Sequence, residues 1–112
     1  MTDVYPASLG SKKPDTFARL IAFAEEYGVY GFAEASHPES IRENNVLRAS
    51  YAATAVVAYG LRTREGHSTD SETLLTDLLG DFLHLCDLLG LSFDDLEAQA
   101  RSHYEPELRG TL

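Results

Sequence analysis

Apolar residues recur every three or four positions along four stretches of the 112-residue chain, and the breaks between them carry helix stop and start signals. In the first stretch Phe17, Leu20, Ile21 and Ala24 share a face. Pro14 suits a first helical position, where a missing N–H costs nothing, and Gly28 supplies a stop. The spacing predicts a helix over 14–27. Ser36-His37-Pro38 repeats the start signal, and an alanine-rich stretch runs to Gly60. This predicts a second helix over 38–59, which Asn44-Asn45 could divide in two. Residues 60–70 carry turn formers and charge without a period and read as a loop. Ser68, Thr69, Asp70 and Ser71 are all acceptable N-caps for a third helix over 71–89, stopped by Gly90. Ser92 followed by Asp95 is a short-acid capping box that opens a fourth helix over 93–104, before Pro106 and Gly110 in the tail.

Two stretches stand apart. Residues 1–13 read as an irregular arm, and Val29-Tyr30-Gly31-Phe32, within 29–35, as a packed connector or a strand fragment, the connector favoured because no partner strand is evident elsewhere. Four helices with short connections predict an all-α fold, a compact four-helix bundle forming a single domain over 14–112.

The third helix carries most of the information. At about 100° per residue, Leu74, Leu75, Leu78, Leu79, Phe82, Leu83, Leu85, Cys86 and Leu89 fill half its circumference. So wide an arc predicts a central helix touching at least two neighbours. Gly80, in mid-helix, costs about 1 kcal/mol against alanine, and a crossing helix or a ligand near the backbone would explain it. Asp70, Asp77, Asp81 and His84 line the opposite face, with Asp87 at its edge.

Charge sharpens that picture. Hydrophobic residues at 44% and charged residues at 24% are globular values and exclude a disordered chain. The net charge of −9 is uneven: residues 1–68 hold seven Lys/Arg and eight Asp/Glu, residues 69–112 two and ten. The acidic second part repels phosphate backbones, which argues against direct nucleic-acid binding. It suits a basic protein partner or a divalent cation. The single Cys86 excludes an intramolecular disulfide and reads as a buried thiol in a reducing compartment. Met1 to Lys13 has no apolar signal core, and no apolar run would span a bilayer. The expectation is a soluble cytoplasmic protein with no membrane contact.

Three site readings follow. Asp77 and Asp81, one turn apart, can face one hard cation such as Mg2+, and Asp81-Phe-Leu-His84 has the carboxylate-x-x-His spacing of carboxylate-bridged metal bundles. Matching carboxylates would have to come from Glu25-Glu26 or from Glu39 and Glu43, none of which repeats the spacing. The same face, with Asp70 and Asp87, also reads as a docking surface or as plain solvated charge. Arg48 shares an arc with Ile41, Ala52, Ala55 and Tyr59, and a charge there needs an interhelix partner, for which Asp77 or Asp81 would serve. His103, near the end of the fourth helix, is favourable there on dipole grounds alone; His37 and His67 carry no convergent neighbours and are assigned no role, and no catalytic residue is assigned.

The stretch from Asp77 to Leu96, continuing through Ala100-Arg-Ser-His-Tyr-Glu-Pro-Glu-Leu108, resembles the C-terminal halves of small phage and bacterial helical proteins of unknown function. More distantly it is similar to the second half of the all-α nucleotide pyrophosphohydrolases, the MazG-like enzymes. The resemblance covers about a third of the chain. It implies a helical bundle, and in that family magnesium held by a Glu-Glu-x-x-Glu helix and a Glu-x-x-Asp motif splits nucleoside triphosphates. Asp81 falls on the last Asp, Leu78 stands at its partner position, and Arg48-Ala-Ser-Tyr51 occupies the first motif. Both motifs are degenerate, which implies a relative that kept the bundle and lost the chemistry.

The leading expectation is therefore a non-enzymatic acidic interaction protein that docks on a basic protein surface, in one form a phage-type inhibitor of a host nuclease or defence complex. One alternative is a divergent magnesium-dependent pyrophosphohydrolase or nucleotide-binding relative using Asp77, Asp81 and His84. Another is a structural homodimer subunit joined through the small-residue face Ala49, Ala52, Ala53, Ala55 and Ala58.

Overall fold

The computed structural model describes residues 13–27 and 38–110, with Pro38 and Glu39 described by their backbone alone. The arm apart from Lys13, the 29–35 connector and His37 lie outside the described residues. The protein is an all-α four-helix bundle of α1 (Phe17–Tyr27), α2 (Pro38–Arg62), α3 (Ser71–Leu89) and α4 (Phe93–Arg109). Helix α1 packs along α2, and the first turns of α3 close that pair. The core is Phe17, Leu20 and Phe23 of α1, Val46, Ala53 and Val56 of α2, and Leu74 of α3. Full burial of such side chains contributes about 1.5–3 kcal/mol each.

Helix α1 begins three residues later than Pro14 implies, because residues 14–16 pair with the loop before α3. Ser71 donates its hydroxyl to the Pro14 carbonyl (2.8 Å) and its N–H to the Asp15 carbonyl (2.8 Å). Thr16 bridges Asp70, and the N–H groups of Phe17 and Ala18 donate to the carbonyls of Thr69 and His67. The loop thus satisfies donors that the first turn of a helix leaves without partners.

Helix α2 is continuous through Asn44-Asn45 and ends at Arg62, beyond the expected stop at Gly60. Asn45 is buried and its amide donates to the Leu108 carbonyl (3.3 Å), so tertiary structure absorbs its polarity. Gly60 serves packing instead of termination. A Cβ there would lie 2.6 Å from Cε1 and Cζ of the buried Phe17 ring. The chain turns out of the helix at Arg64, in the left-handed region (φ 62°), with the Glu65 N–H returning to the Gly60 carbonyl (2.9 Å).

Helix α3 has the expected bounds. Gly90 closes it at φ 71°, and the Leu91 N–H reaches back to the Cys86 carbonyl (2.9 Å). Helix α4 starts where the capping box places it, with the Asp95 N–H donating to the Ser92 hydroxyl (3.2 Å). It runs five residues past the expected end, through Pro106 to Gly110. Its last turn is tied to α2 by the Asn45–Leu108 bond and an Arg48–Glu107 ion pair (3.1 Å), which hold the helix across the proline.

Helix α3 touches two neighbours, α1 and α2, as expected, but it does so through its first turns and is not central. Leu74 is fully buried and Leu78 packs against the core, but Leu79, Leu83, Leu85, Leu88 and Leu89 are exposed. The backbones of α3 and α4 do not run alongside each other. They meet at the corner, where Phe93 sets its ring edge-on to Phe82 at 6.0 Å. Gly80 has open space where a crossing helix was expected.

Candidate functional site

The acidic row lies on α3, on the side away from its leucine arc. Asp70, Asp77, Asp81, His84 and Asp87 are all exposed. The row is a solvated face because α3 touches the body through the other part of its circumference, around Leu74 and Leu78. Asp70 accepts from the Thr73 hydroxyl (2.7 Å), which fixes its carboxylate over the first turn. Its side chain makes no backbone cap bond.

Asp81 is the member tied to the rest of the fold. The half-buried Tyr59 of α2 donates its hydroxyl to Asp81 Oδ2 at 2.6 Å. That bond, partial burial and the negative charges of Asp81, Asp77 and Glu65 push the Tyr59 hydroxyl up to about 12. Tyr59 is therefore a neutral donor at ordinary pH, and Asp77, Asp81 and Glu65 form one negative field around it.

Arg48 has the interhelix role its position demands, with a different partner. Its guanidinium lies 3.1 Å from Glu107 of α4, in place of Asp77 or Asp81. Arg48 thus ties α2 to α4.

A metal needs several ligands converging on one point. Among the described residues, no three His, Cys, Asp or Glu side chains are so arranged, and Asp77, Asp81 and His84 do not form a set. Cys86 is buried and unbonded to another sulfur, as its place in the apolar arc implies. A cleft of about 200 Å³ between α2 and α4 is lined by Asn45, Arg48, Ala49, Tyr104, Glu107 and Leu108. It is smaller than the roughly 300 Å³ at which ligand pockets begin, and a shallow depression of about 320 Å³ lies on α4 between Glu97, Ala100, Arg101 and Tyr104. Among the described residues no helix is long and apolar enough to cross a membrane.

Three participants escaped the sequence reading. Tyr59 carried no signal beyond its place near the end of α2. His67, read as an unassigned loop residue, sets its ring 6.0 Å from that of Phe17 and helps cover the core. The exposure of the α3 leucines was hidden by a pattern identical to that of a buried helix. Compared with protein-family models, curated proteins and solved structures, the chain matches none of them.

Proposed function

We propose that the protein is a non-enzymatic interaction protein whose acidic α3 face docks on a basic protein surface. One observation carries this reading: Asp70, Asp77, Asp81 and Asp87 are all exposed on a helix whose other side faces the core or carries leucines. Residues 69–112 hold ten acids against two basic residues, and both of those, Arg101 and Arg109, are engaged by acids of their own helix. The uncompensated field is thus concentrated on α3 and at the start of α4. Such a field speeds encounter with a positive partner and selects against acidic ones. An inhibitor of the phage type, seated in the nucleic-acid groove of a host nuclease or defence complex, is the concrete form of the proposal.

The test uses a short polylysine as the probe, with binding followed against salt. Binding should weaken steeply as salt rises. Reversal of Asp77, Asp81 and Asp87 to lysine should abolish it, whereas reversal of Glu25, Glu26 and Glu43 should leave most of it. Equal losses in the two triple variants would mean that net charge, and not the α3 row, attracts the probe. That outcome would defeat the proposal.

A further inference from the structure

We infer that a second copy of this chain covers the leucine side of α3 and the inner side of α4, so that the protein acts as a homodimer. The inference starts from a helix without a core. Helix α4 has 17 residues and none of them is buried. Phe93, Leu96, Ala100 and Tyr104 nevertheless recur at the spacing of one helical face. A helix of this length is marginal in water unless a tertiary neighbour takes its apolar stripe. Among the described residues α4 is tied near its two ends, by Phe82 at the corner and by Asn45 and Arg48, which line a cleft with Tyr104, toward its last turns.

Helix α3 has the complementary deficit. Leu75, Leu79 and Leu83 form an i, i+4, i+8 ridge with exposures of 45%, 53% and 46%, and Phe82 beside them is 38% exposed. Together with Leu89 (60%) and Leu91 (48%), these side chains present several hundred Å² of apolar surface. That is comparable with the largest patch a monomer usually carries, and supplies part of the roughly 800 Å² per partner in a standard interface.

The geometry favours a copy over a foreign partner. Because α3 and α4 meet at their corner without running alongside each other, neither gives the other, among the described residues, the neighbour that a closed pair of helices would provide. A second splayed pair supplies both missing neighbours at once, across a two-fold axis, and closes an intermolecular bundle of two α3 and two α4. Ridges made of i±4 rows interdigitate with their own kind, which gives the commonest class of helix crossing. Asp77 and Asp81 project from the far side of α3, roughly 160–200° around from Leu79, so the strongest charges do not oppose each other across the axis. This interface is separate from the acidic row, and the dimer displays two such rows.

Sedimentation equilibrium of the full chain over a wide concentration range tests the inference. The expected mass is twice that of the chain, falling to the single-chain mass in Leu79→Glu/Leu83→Glu with helical circular dichroism retained. If that variant loses its helix signal, Leu83→Gln and Tyr104→Gln, both at exposed positions, are read in the same way. A wild-type mass that stays at one chain at the highest concentration overturns the inference. So does a dimer that survives all of these variants, which would move the contact to another surface such as Ala52 and Ala55 of α2. Salt separates this result from the docking proposal: two acidic copies associate more tightly as salt screens their repulsion, whereas polylysine is released. Either can fail without the other.

Discussion

Leu74 and Leu88 stand on the same helix, 14 residues and about 21 Å apart. Leu74 is 0% exposed and Leu88 is 81% exposed. The first belongs to the closed part of the molecule, where Phe17, Leu20, Val46, Ala53 and Val56 surround it. The second belongs to an arm made of the far end of α3 and the whole of α4, in which Cys86 is the one buried side chain. The two regions are equally rich in apolar residues. They differ in whether a neighbouring helix is present, and it is the neighbour that converts an apolar side chain into stability. In the arm most apolar side chains have no such neighbour among the described residues.

The largest expected contrast follows directly. Phe17→Ala removes a ring that is 1% exposed and should cost about 3–5 kcal/mol, read from urea unfolding. Leu88→Ala should change stability by no more than about 0.5 kcal/mol. A similar loss at both positions would show that the arm folds with the core as one packed unit.

Two mid-helix glycines sharpen the contrast with opposite signs. A Cβ at Gly60 meets the Phe17 ring at 2.6 Å, and that ring is locked in the core, so Gly60→Ala should destabilise by about 1–3 kcal/mol through overpacking. A Cβ at Gly80 meets nothing within 4 Å, and Gly80→Ala should stabilise by up to about 1 kcal/mol through helix propensity alone. Thermal midpoints of the two variants should move in opposite directions. A downward shift for Gly80→Ala would mean that something approaches its backbone in solution.

What the sequence displays is the chemistry that acts over a few residues. Gly90 and the Ser92–Asp95 cap bracket the α3–α4 corner as expected, because αL glycine and a serine acceptor need only their own turn. The leucine arc set the acidic row on the opposite side of α3 for the same reason, without showing whether that side is solvated. Gly60 and Pro106 misled because distant groups decide their roles: the Phe17 ring explains the first, and the Asn45 and Arg48 anchors hold the helix across the second. Arg48 announced that it needed a partner, but only the path of α4 makes that partner Glu107. The leucines beyond Leu78 spell a buried helix, and no local property distinguishes an apolar face covered by its own chain from one that is open.

The Ser92 cap offers a more local comparison. Ser92→Ala removes the acceptor for the Asp95 N–H and should cost about 1 kcal/mol at the start of α4. Because α4 buries no side chain, that cost should appear as faster amide exchange in α4, about fivefold, while α1 and α2 exchange as before. Uniform acceleration in every helix would instead mean that arm and core open together.

The smallest effect lies where the two regions join. Tyr59, packed against the core from α2, donates to Asp81 just beyond the last α3 leucine that touches it. Its hydroxyl is raised from an ordinary 10.0 to about 12, so the folded protein holds the neutral phenol more strongly than the unfolded chain does. A group raised in this way contributes its stabilisation in full below pH 10. The contribution declines from pH 10 upward and is lost as pH passes about 12. Urea midpoints measured across that window should fall more steeply for the wild type than for Tyr59→Phe, which has no proton to lose. Asp81→Asn should also flatten the slope, because it removes both the acceptor charge and the nearest negative field. Slopes that remain parallel in all three proteins would show that this junction does not couple the arm to the core.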